Sequence, residues 1–481
     1  MEWRASPYAM RVGALTAAAV AGRLLFLGFQ PLWRDEAFTA VVVQRPLGPM
    51  LDAVRADSGA PLLYLLDNAV TRVSSSPAAL RLVPAVAGAA AVPLMAALAR
   101  RIGGVRAGAG AAALAVVAPA LVTSARDARM YALATTLVVL ATLLLLRAAE
   151  RPSAGRWFAY AAAASLAMYT DYFAALAVMA EIVALVVVLR ADARRVACAL
   201  LSAAAAGATL VPWLIAAHGQ FNHAGEFWVP PLSVTWVGGA LVQFFTGPPV
   251  NDWVPGKQLL VAAQAVAVVV AQGLLAGLVI RRGRLSPDGR RALWYCVMCA
   301  VLALVFLVVI SAFRPLITGS YASVLWGPLF AVLGAGLGLL DRSRLAAAAL
   351  ALTCGVSVAL SAAATHPDTT GAIRLIDSQL GPGDVVDAHP SQYLLLLYYG
   401  DARVLQRTVV ISSHVAWFWG TAAYPAGAVM LAAPAQIIAN HGDIMFVAQP
   451  GETPENLPSG YHAARTACAT GSCVTMYAPP A

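Results

Sequence analysis

Asp35 and Glu36 stand side by side in Trp33-Arg34-Asp35-Glu36-Ala37-Phe38-Thr39, a few residues after the first apolar span of a 481-residue chain. Two carboxylates at a bilayer boundary are costly unless they work in water or in a polar cavity, so ionisable groups there are functional candidates. Neighbouring side chains on a helix or turn diverge, and the pair need not share one proton. One carboxylate can act as a general base while the other orients a neighbour or binds a cation. The competing reading is a solvated helix cap at the entry of a loop.

Three further groups carry chemistry. In Ser124-Ala125-Arg126-Asp127-Ala128-Arg129-Met130-Tyr131, Arg126 and Arg129 are i,i+3 neighbours with Asp127 between them. An anion is the expected partner of two such guanidiniums; a salt bridge to Asp127 or Asp35 is the structural alternative. Tyr169-Thr170-Asp171-Tyr172-Phe173 is a polar break between two apolar stretches, either a site or a plain turn. Arg314-Pro315, followed by Thr318, Ser320 and Tyr321, contains the lone cation of its loop, a candidate phosphate contact. His218, Asn222, His223 and Glu226 are too loosely spaced for a metal motif and read as interfacial side chains, so no metal site is assigned.

The elements that must position these groups are membrane helices. The chain is 60% hydrophobic and 11% charged, with mean hydropathy +0.74, against roughly 25% charged residues in soluble domains. The net charge of +9 comes from arginines clustered between apolar spans, the positive-inside pattern, which argues against a nucleic-acid partner. A spanning helix needs about 20 apolar residues. Such stretches fall near 9–29, 80–99, 108–123, 129–148, 157–170, 172–190, 196–216, 258–280, 292–312, 321–340 and 345–364, about eleven transmembrane helices. The first is read as a retained helix rather than a cleaved signal.

Arginines follow each even-numbered span: Arg100, Arg101 and Arg106; Arg147, Arg151 and Arg156; Arg190, Arg194 and Arg195; Arg281 to Arg291; Arg342 and Arg344. Those loops are therefore expected in the cytoplasm, with the N-terminus, and an odd span count puts the tail outside. The external loops 30–79 and 217–257 are long, and loops of that length are more often functional than accidental.

From residue 366 the pattern becomes water-compatible. Gly371–Leu380 reads as an amphipathic helix, Val385–Ala388 as a strand, Ser391–Tyr399 as a helix, Asp443–Ala448 as a strand and Cys468–Tyr477 as part of a hairpin. The expected organisation is a polytopic α-helical membrane domain over 1–365 and a small extracytoplasmic α/β domain over 366–481. Cys468 and Cys473 flank Ala-Thr-Gly-Ser, and a local disulfide is expected if the tail is outside. Cys198, Cys296, Cys299 and Cys354 lie in apolar spans and read as packing.

The order of motifs then matters. Trp33–Thr39 is followed by Ala60-Pro61-Leu62-Leu63-Tyr64-Leu65-Leu66, by Leu80-Arg81-Leu82-Val83-Pro84, by Ser124–Leu133 and by Met168–Leu176. This series resembles the GT-C membrane glycosyltransferases of the protein O-mannosyltransferase and aminoarabinose transferase (ArnT-like) type, over roughly residues 20–190 and more weakly through 314–328. The resemblance implies an inverting transfer of a sugar from a polyprenyl-phosphate donor to a hydroxyl of a cell-envelope acceptor (glycolipid, glycan or protein). The reaction would run on the extracytoplasmic face of the inner (plasma) membrane. By that analogy Asp35 is the base that deprotonates the acceptor and Glu36 supports it. Arg126, Asp127, Arg129, Tyr131, Asp171 and Tyr172 build the substrate site, and Arg314 or Tyr321 faces the donor phosphate. The chain departs from the family at Gly59, where relatives carry His or Lys, and at Asp171, where His is usual. Asp127 replaces Glu, and Ser320 precedes Tyr321 where Arg is common. These departures leave a divalent cation open as cofactor, as well as the identity of sugar and acceptor. A transporter or lipid flippase, or a non-catalytic assembly subunit, are the other classes compatible with many spans. Charge gathered at the external rim, with no internal repeat, weighs against the transporter.

Overall fold

The computed structural model describes residues 6–25, 27–221, 228–247, 249–251, 253–340, 343–362, 366–433 and 442–480. Each stretch long enough to span carries a helix. The first is α1 (Pro7–Leu24), started by Ser6, whose side chain accepts from the Ala9 amide. Four short helices then fill the first long connection: α2 (Arg34–Val43), α3 (Leu47–Ala56), α4 (Leu62–Thr71) and α5 (Pro77–Leu80). Met50, Ala53 and Val54 of α3 are buried, so this loop is a packed layer rather than a linker.

Two expected spans, 80–99 and 108–123, run together as α6 (Leu82–Val117), which leaves helical geometry at Gly103 and Gly104. A side-chain carbon at Gly108 would touch the Ala96 carbonyl, so the two halves fold back on each other as a hairpin. Its turn carries Arg100, Arg101 and Arg106; Arg101 pairs with Glu150 and the Arg100 guanidinium lies 5.0 Å over the Tyr8 ring. Pro119 then starts α7 (Pro119–Ser124), cutting the expected third span short. The membrane part continues through α8 (Tyr131–Glu150), α9 (Ala154–Thr170), α10 (Ala174–Val187), α11 (Ala193–Ala216), α12 (Val234–Thr246), α13 (Lys257–Arg281), α14 (Pro287–Phe313), α15 (Trp326–Leu339) and α16 (Ser343–Ala362).

Among the described residues, six helices are long and apolar enough to cross a membrane by length and composition, the α6 hairpin counting as one. The remaining expected spans fall on α1, α9, α10 and α15, of 18, 17, 14 and 14 residues. The protein is a polytopic helical membrane protein. Glu181 of α10 lies inside the bundle and accepts from Thr142 Oγ1 of α8 at 2.5 Å.

The C-terminal part is a sheet covered by helices: α17 (Thr369–Gln379), β1 (Val385–Ala388), α18 (Pro390–Tyr399), α19 (Ala402–Leu405), β2 (Thr408–Ile411), β3 (Val429–Met430), β4 (Ile444–Ala448), β5 (His462–Ala469) and β6 (Ser472–Ala478). The order is β3-β2-β1-β4-β6-β5. The first four strands are parallel and β6 and β5 are antiparallel. Every residue of β1 and β4 is buried, as short apolar runs of a centrally placed parallel sheet must be. Ala372 and Ile376 of α17 and Leu396 of α18 close a core with Val386, Met445 and Val447. Cys468 and Cys473 form a disulfide that closes the β5–β6 hairpin.

Candidate active site

Trp33 is extended and caps α2; its amide donates to Glu36 Oε2 at 3.3 Å, the carboxylate-to-cap half of a capping box. This fixes the first turn and sends Asp35 and Glu36 to different sides. Glu36 points inward and is fully buried beside Arg81. Arg81 Nε donates to Oε1 at 2.6 Å and Nη2 to Oε2 at 2.5 Å. The Ala128 amide donates to Oε1 at 2.9 Å. The remaining Arg81 donors reach the carbonyls of Leu27, Gln30 and Pro31 at 2.9–3.1 Å. Burial alone would raise the Glu36 pKa, but Arg81, His366 and the Ala128 amide hold it below the usual carboxylate range. Glu36 is a staple joining α2, the start of α6 and the 125–130 turn.

Asp35 points outward and keeps 26% of its side-chain exposure. Arg34 Nε donates to its Oδ1 at 2.9 Å, and Arg129 lies close enough to act on its charge. Burial pushes the Asp35 pKa up; the two guanidiniums outweigh it and hold it below the ordinary value. Asp35 is thus an ionised carboxylate on the wall of a cleft of about 460 Å³, open mouth included. Arg34, Asp57, Arg129 and Tyr321 supply the polar wall, and Trp228, Leu394 and the run Trp417-Phe418-Trp419 the apolar one. A concave apolar site with few convergent polar groups is the usual form of a substrate pocket.

The other expected residues distribute around this cleft. Arg129 Nη1 lies 3.5 Å from both the Asp35 carbonyl and Tyr64 Oη. Asp127 is one step back and accepts from Trp33 Nε1 at 3.0 Å. Burial and the neighbouring Glu36 charge raise its pKa against the pull of Arg129 and Arg81. Tyr131 is buried at the start of α8, and Tyr321 stacks on Phe173 at 5.2 Å. Tyr172 Oη lies 3.2 Å from the Gly59 carbonyl and 3.1 Å from Gln220 Oε1, and accepts from Trp213 Nε1 at 2.7 Å; it clamps the loop that carries Asp57. Asp171 Oδ1 accepts from the Phe173 amide at 2.9 Å, while Oδ2 is buried without a partner. Burial takes its pKa to about 6. Arg126 is half-buried, and Arg314 ends α14; neither is part of the lining given above.

Sequence reasoning missed Asp57 and the aromatic run. Asp57 lies near Asp35 and Arg129; burial, with Asp35 adding to it and Arg129 opposing, raises its pKa to about 6. Its signal was an acid two residues before Gly59. A side-chain carbon at Gly59 would sit 2.7 Å from the Tyr64 ring, which packs against this position. The aromatic run ends at Gly420, whose φ of +76° and contacts with Leu394 and Phe38 leave no room for a side chain. Three adjacent aromatics in a water-compatible tail were the signal there. His223, Asn222 and Glu226 lie outside the described residues; His218 Nδ1 is 3.0 Å from the Ile215 carbonyl. No group of three or more His, Cys, Asp or Glu among the described residues is placed to hold a metal.

Residues 58–215, less than half of the chain, match the family described as dolichyl-phosphate-mannose-protein mannosyltransferase. No curated protein matches the chain in sequence. Among solved structures, ArnT from Cupriavidus metallidurans bound to undecaprenyl phosphate superposes with a TM-score of 0.57 at 14% identity, over 97% of each chain. The apo oligosaccharyltransferase of Archaeoglobus fulgidus does so with 0.53 at 11% identity, over 83% of this chain and 65% of that one. Archaeal AglB from the same organism, in complex with an inhibitory peptide and a dolichol-phosphate, gives 0.51 at 13% identity, over 89% and 65%. At such identities the superpositions carry the fold. The chain has the GT-C fold, matching ArnT in architecture over nearly its full length, and over 58–215 it resembles the dolichyl-phosphate-mannose-protein mannosyltransferase family in sequence.

Proposed function

We propose that the protein is an inverting glycosyltransferase that moves a sugar from a polyprenyl-phosphate donor to a hydroxyl of a cell-envelope acceptor on the extracytoplasmic face of the plasma membrane. The observation that carries this reading is an ionised Asp35 on the wall of an aromatic-rimmed cleft, flanked by Arg34 and Arg129. Asp35 takes the acceptor proton as the hydroxyl oxygen attacks the anomeric carbon. The bond from that carbon to the phosphate oxygen breaks, and the lipid phosphate leaves with the electron pair. Such a leaving group is already a stable anion, so the step needs a base and cationic stabilisation rather than an acid. Arg129 supplies the charge at the cleft, with Tyr321 on the donor side and Arg314 further out. Glu36, Asp127 and Tyr172 position the loop elements; Arg126, Tyr131 and Asp171 support the donor side.

The undecaprenyl phosphate and dolichol-phosphate in the names of the superposed structures support a lipid-phosphate donor. The arginines of the even-numbered exits and the Cys468–Cys473 disulfide support an external site and tail. The test supplies membranes with a radiolabelled polyprenyl-phosphate sugar and compares the native chain with Asp35→Asn. Label entering an acceptor with the native chain and not with the variant supports the reading; undiminished transfer by the variant removes Asp35 as the base.

A further inference from the structure

Within the C-terminal sheet, β1 is followed on one side by β2 and β3 and on the other by β4, all parallel. The chain therefore leaves β1 to one side, through β2 and β3, and returns from β3 to the other side at β4, so β1 and β4 flank a switch point. In open α/β sheets, ligands bind in the crevice at the carboxyl ends of the strands at that point. The residues leaving those ends here form a polar cluster. His389 follows β1, Ser391 opens α18 and Glu452 follows β4. His389 Nδ1 lies 3.0 Å from Glu452 Oε2 and 2.9 Å from Ser391 Oγ. Ser391 Oγ donates to Glu452 Oε2 at 3.0 Å, and the Gln449 amide donates to the same oxygen at 2.6 Å. Three of these contacts meet at Glu452 Oε2 and hold that carboxylate beside His389 and Ser391 at the carboxyl ends of β1 and β4.

The cluster joins the Asp35 cleft through one side chain. Trp419 meets His389 edge to face at 5.6 Å and carries the Arg34 guanidinium over its ring at 4.7 Å. Arg34 in turn holds Asp35 at 2.9 Å. Trp417, Phe418 and Trp419 are half-buried and form a continuous aromatic wall from the carboxylate of the cleft to that of the crevice. The chemistry of the wall selects its ligand. A fixed carboxylate at the crevice repels phosphates and sulfates, and the Ser391 amide at the start of α18 already meets His389 Nδ1, so an anion finds little to bind. A neutral polyhydroxylated ligand finds acceptors for its hydroxyls and aromatic rings for its C–H faces, with both ends of the path occupied.

We propose that the β1–β4 crevice and the Trp417–Trp419 wall form a saccharide subsite that holds the acceptor as a neutral glycan, several sugar units long, with its reactive hydroxyl at Asp35. This rests on the reading of Asp35 as the transfer centre. Phe418 is the stacking residue and Glu452 the hydroxyl acceptor.

The test measures equilibrium binding of linear hexasaccharides of mannose, glucose and arabinose, and of a sulfated hexasaccharide, to the full chain in detergent, without donor. At least one neutral hexasaccharide binds and the sulfated one does not. Phe418→Ala weakens that binding about 3- to 10-fold and Phe418→Tyr restores it; Glu452→Gln weakens it about 10-fold. Thermal unfolding of each variant within a few degrees of the native chain ties the losses to the subsite. Binding of no neutral hexasaccharide, preference for the sulfated one, or binding indifferent to both Phe418→Ala and Glu452→Gln overturns the proposal. Because no transfer is measured, failure of Asp35 as the base appears only in the transfer assay and failure of the subsite only here.

Discussion

Arg81 grips the carboxylate of Glu36 with two nitrogens, at 2.6 and 2.5 Å, and the two side chains keep 2% and 0% of their exposure. The same guanidinium ties down three carbonyls of the chain between α1 and α2, while Glu36 also binds the amide of Ala128. One ion pair therefore sets the position of α2 relative to the 125–130 turn, and with it the approach of Asp35 to Arg129. Removing one partner of such a pair strands a buried charge, at a cost of about 3–5 kcal/mol. Arg81→Ala is expected to lower the thermal midpoint sharply, and Arg81→Ala with Glu36→Gln together less than the single change. An Arg81→Ala midpoint equal to the native one would falsify this role.

Asp35→Asn keeps the shape of the cleft and removes the base. The expected loss is roughly 10²–10⁴ in kcat, with affinity for undecaprenyl phosphate nearly unchanged. Arg34 and Arg129 hold the Asp35 carboxyl ionised below the usual range, so Arg129→Ala should move the acidic limb of the activity profile to higher pH. A profile that does not move, measured as kcat against pH from 4 to 8, removes Arg129 from this electrostatic part.

How much of this was readable in the residues depends on the range of the interaction. Helix positions and the α/β tail follow from hydropathy and arginine placement, which are local properties of the chain, while the grouping of Asp35 with Arg129 follows from the resemblance carried by motif order. The inward turn of Glu36 was not readable, because it is decided by a partner 45 positions away. The same holds for Gly59, whose absent side chain makes sense only once the Tyr64 ring is seen against it. The aromatic wall at Trp417–Trp419 was missed because it reaches the cleft only when α18 and α2 pack together, a contact between segments far apart in the chain. The expected spans do not each become one long helix: α6 carries two of them around Gly103 and Gly104, and α9, α10 and α15 have 17, 14 and 14 residues.

The Cys468–Cys473 bridge offers a direct check on which side the tail lies. A disulfide persists in an oxidising compartment and is reduced in the cytosol. In intact cells a membrane-impermeant maleimide should leave both residues unlabelled, and should label both after treatment with an impermeant phosphine reductant. No labelling after the reductant places the tail on the cytoplasmic side, whereas labelling without it shows an external tail whose two cysteines are free thiols. Cys296 and Cys299 are buried and serve as internal controls that stay unlabelled in both conditions.

Asp171 makes the last prediction, one of sign. Its carboxyl is buried at 4% exposure, with one oxygen on the Phe173 amide and the other without a partner. Burial raises its pKa to about 6 in the folded protein, against about 3.9 in an unfolded chain. Below pH 4 both states hold the proton and the group is neutral with respect to folding. Between pH 4 and 6 the unfolded chain releases its proton while the folded one keeps it, so stability falls as pH rises; above 6 the loss is complete and constant. Asn at this position cannot titrate and retains an oxygen for the Phe173 amide. Asp171→Asn should therefore match the native chain near pH 4 and exceed it at pH 8, the gap opening between those values. Thermal midpoints of the two proteins across that range decide the matter, and a gap that closes with rising pH would show that the Asp171 carboxylate is stabilised by a cation when ionised.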